Sequence, residues 1–301
     1  MKVLKKFLII TFPYLLSVPI YSEDVKVGIF IVNIGKFEVG TGNFTVDFYL
    51  TLKTEKIPEF PLNSFEFMNG RATSMEKIYD EPNLQQYRIQ ANLASPINLT
   101  HFPFDEQVLS IIIENKKFTN DKVRYVPVNQ ESGLDDSIHF TGWNIKDWKT
   151  VESEHFYKVF NENYSLYAFN ITIEKIIWNA FLKTFLPVLI IVFLITCSFI
   201  MDIDKIKDRL SICTSGLVAS VMFHLSISNQ IPPVSYLTIA DKFMIQTYLV
   251  LMSCIILNVF MLQMTQIKNE ALNVKIHNFT KFGMFFVMPL VYALFFTFTM
   301  N

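Results

Sequence analysis

The residues best placed to act on something outside the chain lie between Arg209 and Pro232, a stretch without a charged side chain. At about 100° per residue on a helix, Ser211, Ser215, Val218, Met222, Leu225 and Asn229 fall within about 40° of one line. From the charged end, that line runs hydroxyl, hydroxyl, apolar, apolar, apolar, amide. The opposite face carries Cys213, Gly216 and Ser220, small side chains that let helices approach closely. One such helix cannot enclose water, but several copies around an axis would each contribute one residue to every ring. Hydroxyl rings replace part of an ion's hydration shell, and apolar rings at Val218, Met222 and Leu225 make a constriction that gates by dewetting. The alternative is that the polar face merely packs on neighbouring helices of its own chain.

The elements that must hold this helix follow from composition. The chain has 301 residues, three cysteines and a net charge of −1, and 51% of it is hydrophobic. The apolar residues are concentrated in 178–300, whereas residues 23–176 read as a water-exposed domain with 22 Asp plus Glu against 15 Lys plus Arg, near −7. With no dominant basic patch, nucleic acid is not an expected partner; an acidic domain attracts cations. Cys197, Cys213 and Cys254 lie in separate apolar segments without metal-ligand spacing, and read as small buried residues. Neither a cofactor nor a metal site is expected.

Residues 1–22 read as a secretory signal: Lys2, Lys5 and Lys6, then the apolar run Phe7–Val18, then the small residue Ser22. An uncleaved anchor is the alternative, and both export the domain at 23–176. Short runs there alternate with period two: Val27–Ile34, Phe44–Leu52, Gln86–Leu93, Val108–Glu114 and Tyr167–Glu174. Gly40–Asn43, Pro82-Asn83, Ser95-Pro96 and Asn120-Asp121 punctuate them, which predicts an all-β immunoglobulin-like sandwich with at most a helical turn near Ser74–Tyr79. Four apolar segments follow at about 178–201 (containing Pro187), 208–230, 238–264 and 279–299, each suited to crossing a bilayer. The fold class is therefore mixed, an all-β domain at 23–176 and a four-helix transmembrane bundle at 177–301. Lys205, Lys207, Arg209, Lys268 and Lys275 lie on the side opposite the β domain, as the positive-inside bias requires.

Phe102-Pro103-Phe104-Asp105, with Gln107 just after, resembles the Phe-Pro-Phe-Asp loop of pentameric ligand-gated ion channels, also called Cys-loop receptors. The order of features from residue 25 to the end is similar to that family: a β domain, this loop, a proline in the first span, a Ser/Thr-rich second span, then Ile231-Pro232-Pro233. The short link between the third and fourth spans, and the absence of cysteines flanking the loop, resemble the bacterial branch. The resemblance implies a homopentamer in a cell membrane, with its β domain extracellular or periplasmic and the second span lining the pore. Ser211, Ser215, Val218, Met222, Leu225 and Asn229 would then form pore rings. Asp208 would form an acidic ring at the inner mouth that favours monovalent cations. Alternatively, Asp208 pairs with Lys205, Lys207 or Arg209.

The resemblance also implies a junction that couples the domains, built from Gly40–Asn43, the loop Phe102, Pro103, Phe104 and Asp105, the strand end Glu174-Lys175, and the link from Pro232 to Leu237. Lys175 stands where relatives often carry Arg, and as a point charge it makes a less directional partner. It further implies an agonist site between subunits, with Phe67, Tyr87, Glu114, Phe156, Tyr157, Phe160 and Tyr164 as candidates. Aromatic rings with Glu114 suit an amine by cation–π attraction, while Lys116 opposes one; the same aromatics also suit ordinary half-buried strands. Protons are the other candidate agonist, through His101, His139, His155 or His224.

Two other classes are weighed. A membrane-anchored sensor without a pore would have no use for a graded in-line stripe. An enzyme is not expected: the chain has no Gly-x-Ser-x-Gly, no phosphate loop and no metal-spaced His/Cys set, and Asp135-Asp136 beside Gly133 read as turn residues.

Overall fold

A computed structural model describes Ser22–Ile267 and Glu270–Thr299. The expected leader lies, apart from Ser22, outside the described residues. Ten strands come first: β1 (Glu23–Glu38), β2 (Asn43–Lys53), β3 (Phe65–Phe67), β4 (Gly70–Glu81), β5 (Leu84–Ala94), β6 (Glu106–Asn115), β7 (Val123–Pro127), β8 (Gly133–Leu134), β9 (Trp143–Tyr157) and β10 (Glu162–Lys175). One sheet has the order β4-β5-β2-β1-β7 with β8 beside β1; the other has the order β3-β6-β10-β9. The alternating residues of both sheets pack into one core, including Phe48, Leu50 and Ile89 from the first and Ile111, Ile113, Tyr167 and Phe169 from the second. Burial on every second residue is what stabilises such a strand, by roughly 1.5–3 kcal/mol per large apolar side chain.

The turn between β1 and β2 needs Gly42. Its φ is +73°, and an added Cβ would lie 2.1 Å from the Ser95 carbonyl oxygen. The helical turn expected near Ser74–Tyr79 is instead part of β4, paired along its length with β5. Its side chains are exposed on both faces, so no apolar period distinguished a strand from a turn.

The second half contains α1 (Ile177–Thr184), α2 (Leu186–Ser198), α3 (Ile206–Ser228), α4 (Ile239–Gln266) and α5 (Glu270–Thr299). Three helices are long and apolar enough to cross a membrane, or four spans if α1 and α2 count as one; those two meet at an angle of 44°. The expected single first helix is thus broken. Pro187 has no N–H to give and crowds the carbonyl of residue 183, so the helix turns at Phe185. The expected fourth helix starts at Glu270 rather than 279, because its first turns are too polar for a hydropathy signal. Thr238 opens α4 with a capping box, its side chain accepting from Asp241 N while the Asp241 carboxylate accepts from Thr238 N. At Gly216, α3 lies so close to α2 that a Cβ would come within 2.4 Å of Ile195 Cδ1.

Candidate pore and ligand sites

In the single chain α3 has two unlike sides. Arg209, Cys213, Ser220 and Ile227 are buried against the other helices. Ser211, Ser215 and Asn229 are exposed, as are Val218 (63%), Met222 (62%) and Leu225 (55%). Asp208 is exposed on the same side. The exposed arc also includes Ile212, Thr214, Ala219, Val221, Ser226 and Ser228, and the six-residue line runs along its middle. The bundle of one chain therefore leaves this line uncovered and packs the small-residue face, which answers the alternative that the polar face packs internally. Large apolar side chains left outward in mid-span call for further copies or lipid to cover them.

At the junction the Phe102–Asp105 loop reaches two helices at once. Phe102 is buried with Leu99, Ile227 and Ala240, so it touches the end of α3 and the start of α4. Val39, Ile231 and Val234 pack on this cluster. The Phe102 carbonyl accepts from Ala240 N at 3.0 Å, and Tyr236 Oη accepts from Leu99 N at 2.8 Å. Phe104 stacks on Phe185 at the α1–α2 bend, with ring centroids 5.7 Å apart. The peptide bond between Phe102 and Pro103 is cis. Pro232 lies in the link that follows α3. Of the first expected segment, the neighbouring Val39 rather than Gly40–Asn43 packs on this cluster.

Asp105 is 1% exposed, and neither carboxylate oxygen accepts a hydrogen bond. Burial pushes its pKa up to about 7, against a smaller opposing pull from Lys175. Burial in turn pulls the Lys175 ammonium down, Asp105 opposing. The ammonium lies over the Trp143 ring, 4.3 Å from its centroid, so its main contact is a π face.

The candidate ligand residues separate by strand parity. Glu114 is buried on the outer face of the β3-β6-β10-β9 sheet. Its Oε2 accepts from His155 Nδ1 at 2.8 Å and its Oε1 from Tyr157 Oη at 2.9 Å. Tyr157 meets Tyr164 edge-on at 5.6 Å and Phe160 at 6.3 Å, and Tyr164 Oη donates to Glu162 at 2.8 Å. Burial, then the bond to Glu114 and the charges of Glu114 and Glu66, push Tyr157 up to about 12. The register pairs Glu66 with Glu114 and His155 with Tyr164, so an acid absent from the sequence-based set joins this face, together with His155, which the sequence offered only as a proton candidate. The signal for both was the two-residue period, read across strands whose order was unknown.

Phe67 and Tyr87 lie elsewhere. Phe67 pairs with Ile113 on the core side and meets Phe48 edge-on. Tyr87 is a buried core residue in contact with Phe65. Phe156 is exposed, on the opposite face of its hairpin from His155 and Tyr157. The described residues contain no group of three or more His, Cys, Asp or Glu able to hold a metal ion.

Comparison with known proteins agrees with this two-part build. Residues 71–176 match the model of the neurotransmitter-gated ion-channel ligand binding domain, and residues 184–281 match that of the neurotransmitter-gated ion-channel transmembrane region. The chain is 22% identical over 196 residues to the proton-gated ion channel of Gloeobacter violaceus, covering 64% of this chain and 54% of that one. It is 24% identical over 163 residues to the gamma-aminobutyric acid receptor subunit rho-2 of Homo sapiens, covering 54% and 35%. It is 25% identical over 169 residues to the pH-sensitive chloride channel 2 of Drosophila melanogaster, covering 52% and 32%. The matched stretch thus spans about half the length of the first relative and about a third of the other two. With its strands matching the ligand-binding module and its helices the transmembrane module, the chain belongs to the neurotransmitter-gated ion-channel family, the pentameric ligand-gated channels, as a membrane protein whose β domain stands outside the bilayer.

Proposed function

We propose that the protein is a homopentameric ligand-gated channel that passes monovalent cations along an axis lined by α3. The observation that carries this is the uncovered line Ser211, Ser215, Val218, Met222, Leu225 and Asn229, backed by a buried face of Arg209, Cys213 and Ser220. Five copies turn the line inward and let the flanks of the exposed arc meet sibling helices. Serine hydroxyls then face permeating ions near the inner end, and Val218, Met222 and Leu225 form the dewetting gate. Five Asp208 carboxylates at the inner mouth favour cations, and the acidic β domain raises their local concentration. The relatives include a proton-gated ion channel and a pH-sensitive chloride channel, so the cation reading rests on Asp208 rather than on kinship.

The agonist reading rests on the outer sheet face. Glu114 offers a carboxylate, Tyr157, Tyr164 and Phe160 offer rings, and Glu66 adds a second negative charge. This set suits a small organic amine, through cation–π contact and one charge-assisted hydrogen bond. Binding under the β9–β10 hairpin would move β10, whose end carries Lys175 and whose neighbour β6 begins directly after Asp105. From there Phe102 and Phe104 pass the motion to α3, α4 and the α1–α2 bend.

The test is cation flux from proteoliposomes across an amine panel and a series of external pH steps, with cysteines placed at 215, 218 and 222. Modification of those cysteines by a water-borne thiol reagent, faster when agonist is present, is expected. If all of them stay unreactive and no condition gives flux, the pore-free sensor is the better description.

A further inference from the structure

Among the described residues Arg209 is the largest fully buried side chain. It sits at the base of α3, next to Asp208 and two residues before Ser211. Its Nη2 donates to the Met201 carbonyl oxygen and to His277 Nδ1, the latter at 3.0 Å. The guanidinium lies 5.9 Å from the Phe199 ring centroid, and Nε and Nη1 have no acceptor. A buried cation this poorly satisfied depends on each acceptor it has.

His277 belongs to α5 and is itself buried. Arginine has only donors to offer, so the imidazole must be neutral, with Nδ1 free to accept. A proton on Nδ1 removes that acceptor and sets two cations 3.0 Å apart. The other charged or titratable groups facing the pair are Lys281 on α5, Cys213 on α3, and Asp202 on the link before α3. Lys281 adds to the repulsion, and only exposed Asp202 opposes it.

A second observation concerns how α5 is held. Toward the β domain, Tyr292 Oη donates to Thr247 Oγ1 at 3.0 Å within the shared apolar core. Below that, a cavity of 680 Å³ separates α4 from α5 and runs from Val291 down to Lys275. Met288 and Met284 still pack into the shared core along it; beyond them, the first turns of α5 are tied by polar contacts, Asn273 Nδ2 donating to Thr265 Oγ1 at 2.7 Å and the Arg209–His277 bond.

We propose that Arg209 and His277 form a proton-operated latch on the cytoplasmic side, through which acid in the cytoplasm parts the first half of α5 from the base of α3. Tyr292 keeps the other half docked, so the helix swings rather than leaves. The latch responds to the side of the membrane opposite the proposed agonist site, and its opening does not depend on the pore reading. Only its effect on conduction does, through Asp208 and Ser211 beside Arg209.

The test is a spin-label distance in the full chain, reconstituted in nanodiscs. Labels go on Lys207→Cys and Lys275→Cys in a Cys197→Ser background, Cys213 and Cys254 being buried. Dilution with unlabelled chain isolates the intrachain distance. Between about pH 7.5 and about pH 4.5, a range that reaches well below ordinary imidazole titration, the wild type shifts to a longer distance. His277→Gln keeps a neutral acceptor and holds the short distance at both values. His277→Lys shows the long distance at both. A wild-type distance unmoved by pH, or an equal shift in His277→Gln, overturns the latch. If His277→Lys does not assemble, the other two samples still decide.

Discussion

Asp105→Asn keeps the shape of a buried side chain and removes its charge. Asp105 titrates at about 7 in the folded chain, against an ordinary value of 3.8, because burial disfavours the carboxylate more than Lys175 favours it. Between those values the folded chain holds a proton that the unfolded chain has released, so stability falls as pH rises from about 4 to about 7. The gap corresponds to about 4 kcal/mol per chain, fully expressed only above pH 7. Asparagine carries no such penalty at any pH. At pH 4 the two proteins are therefore expected to melt together, and at pH 8 the variant is expected to melt higher. About 4 kcal/mol is an upper bound, and for a chain of this size 1 kcal/mol moves Tm by roughly 2–4 °C. Thermal melts of detergent-solubilised wild type and Asp105→Asn, taken in half-unit pH steps, give the difference curve. A difference that does not change with pH, or a variant less stable at pH 8, would refute the burial argument.

Val218→Ser replaces an apolar ring by a hydroxyl ring and is expected to raise agonist-independent cation leak from proteoliposomes; a tighter channel would contradict the dewetting assignment. Asp208→Ala should shift the reversal potential in a salt gradient toward lower cation preference, and an unchanged potential would remove Asp208 from selectivity. Gly216→Ala forces a Cβ within 2.4 Å of Ile195 Cδ1, and the overpacking is expected to cost about 1–3 kcal/mol, visible as a lower Tm. For any amine that opens the channel, Glu114→Gln should weaken binding by roughly 10- to 100-fold, the worth of one charge-assisted hydrogen bond; calorimetric titration with that amine reads it, and equal affinity would place the site elsewhere.

The proposed pore line was legible because a helix period is known in advance. Ser211 through Asn229 could be set on one face without any coordinates, and the fold then left that face uncovered. The Phe102–Asp105 loop was legible as a motif, but its division of labour was not. That Phe102 enters the α3–α4 cluster while Phe104 stacks on Phe185 depends on where three distant segments end. In the proposed ligand face, Glu114, Tyr157 and Tyr164 were recoverable from chain order. Glu66 and His155 were not, since only the order β3-β6-β10-β9 sets them beside Glu114. Phe67 and Tyr87 looked equally suitable as aromatics, yet a one-residue parity puts Phe67 on the core side where Glu66 faces out.

Alone, the sequence determined what is local: the alternation that makes strands, the apolar lengths that make spans, the proline that breaks the first span, and the spacing of the α3 line. These depend on backbone periods of 2 and 3.6 residues, which any segment carries within itself. Tertiary structure alone decided which face of each strand meets which, and what the buried charges find there. Asp105 found no hydrogen-bond donor, and Arg209 found an imidazole 68 positions away. Those outcomes are set by register and packing between segments far apart in the chain, and a buried charge takes its properties from whatever that packing brings within reach.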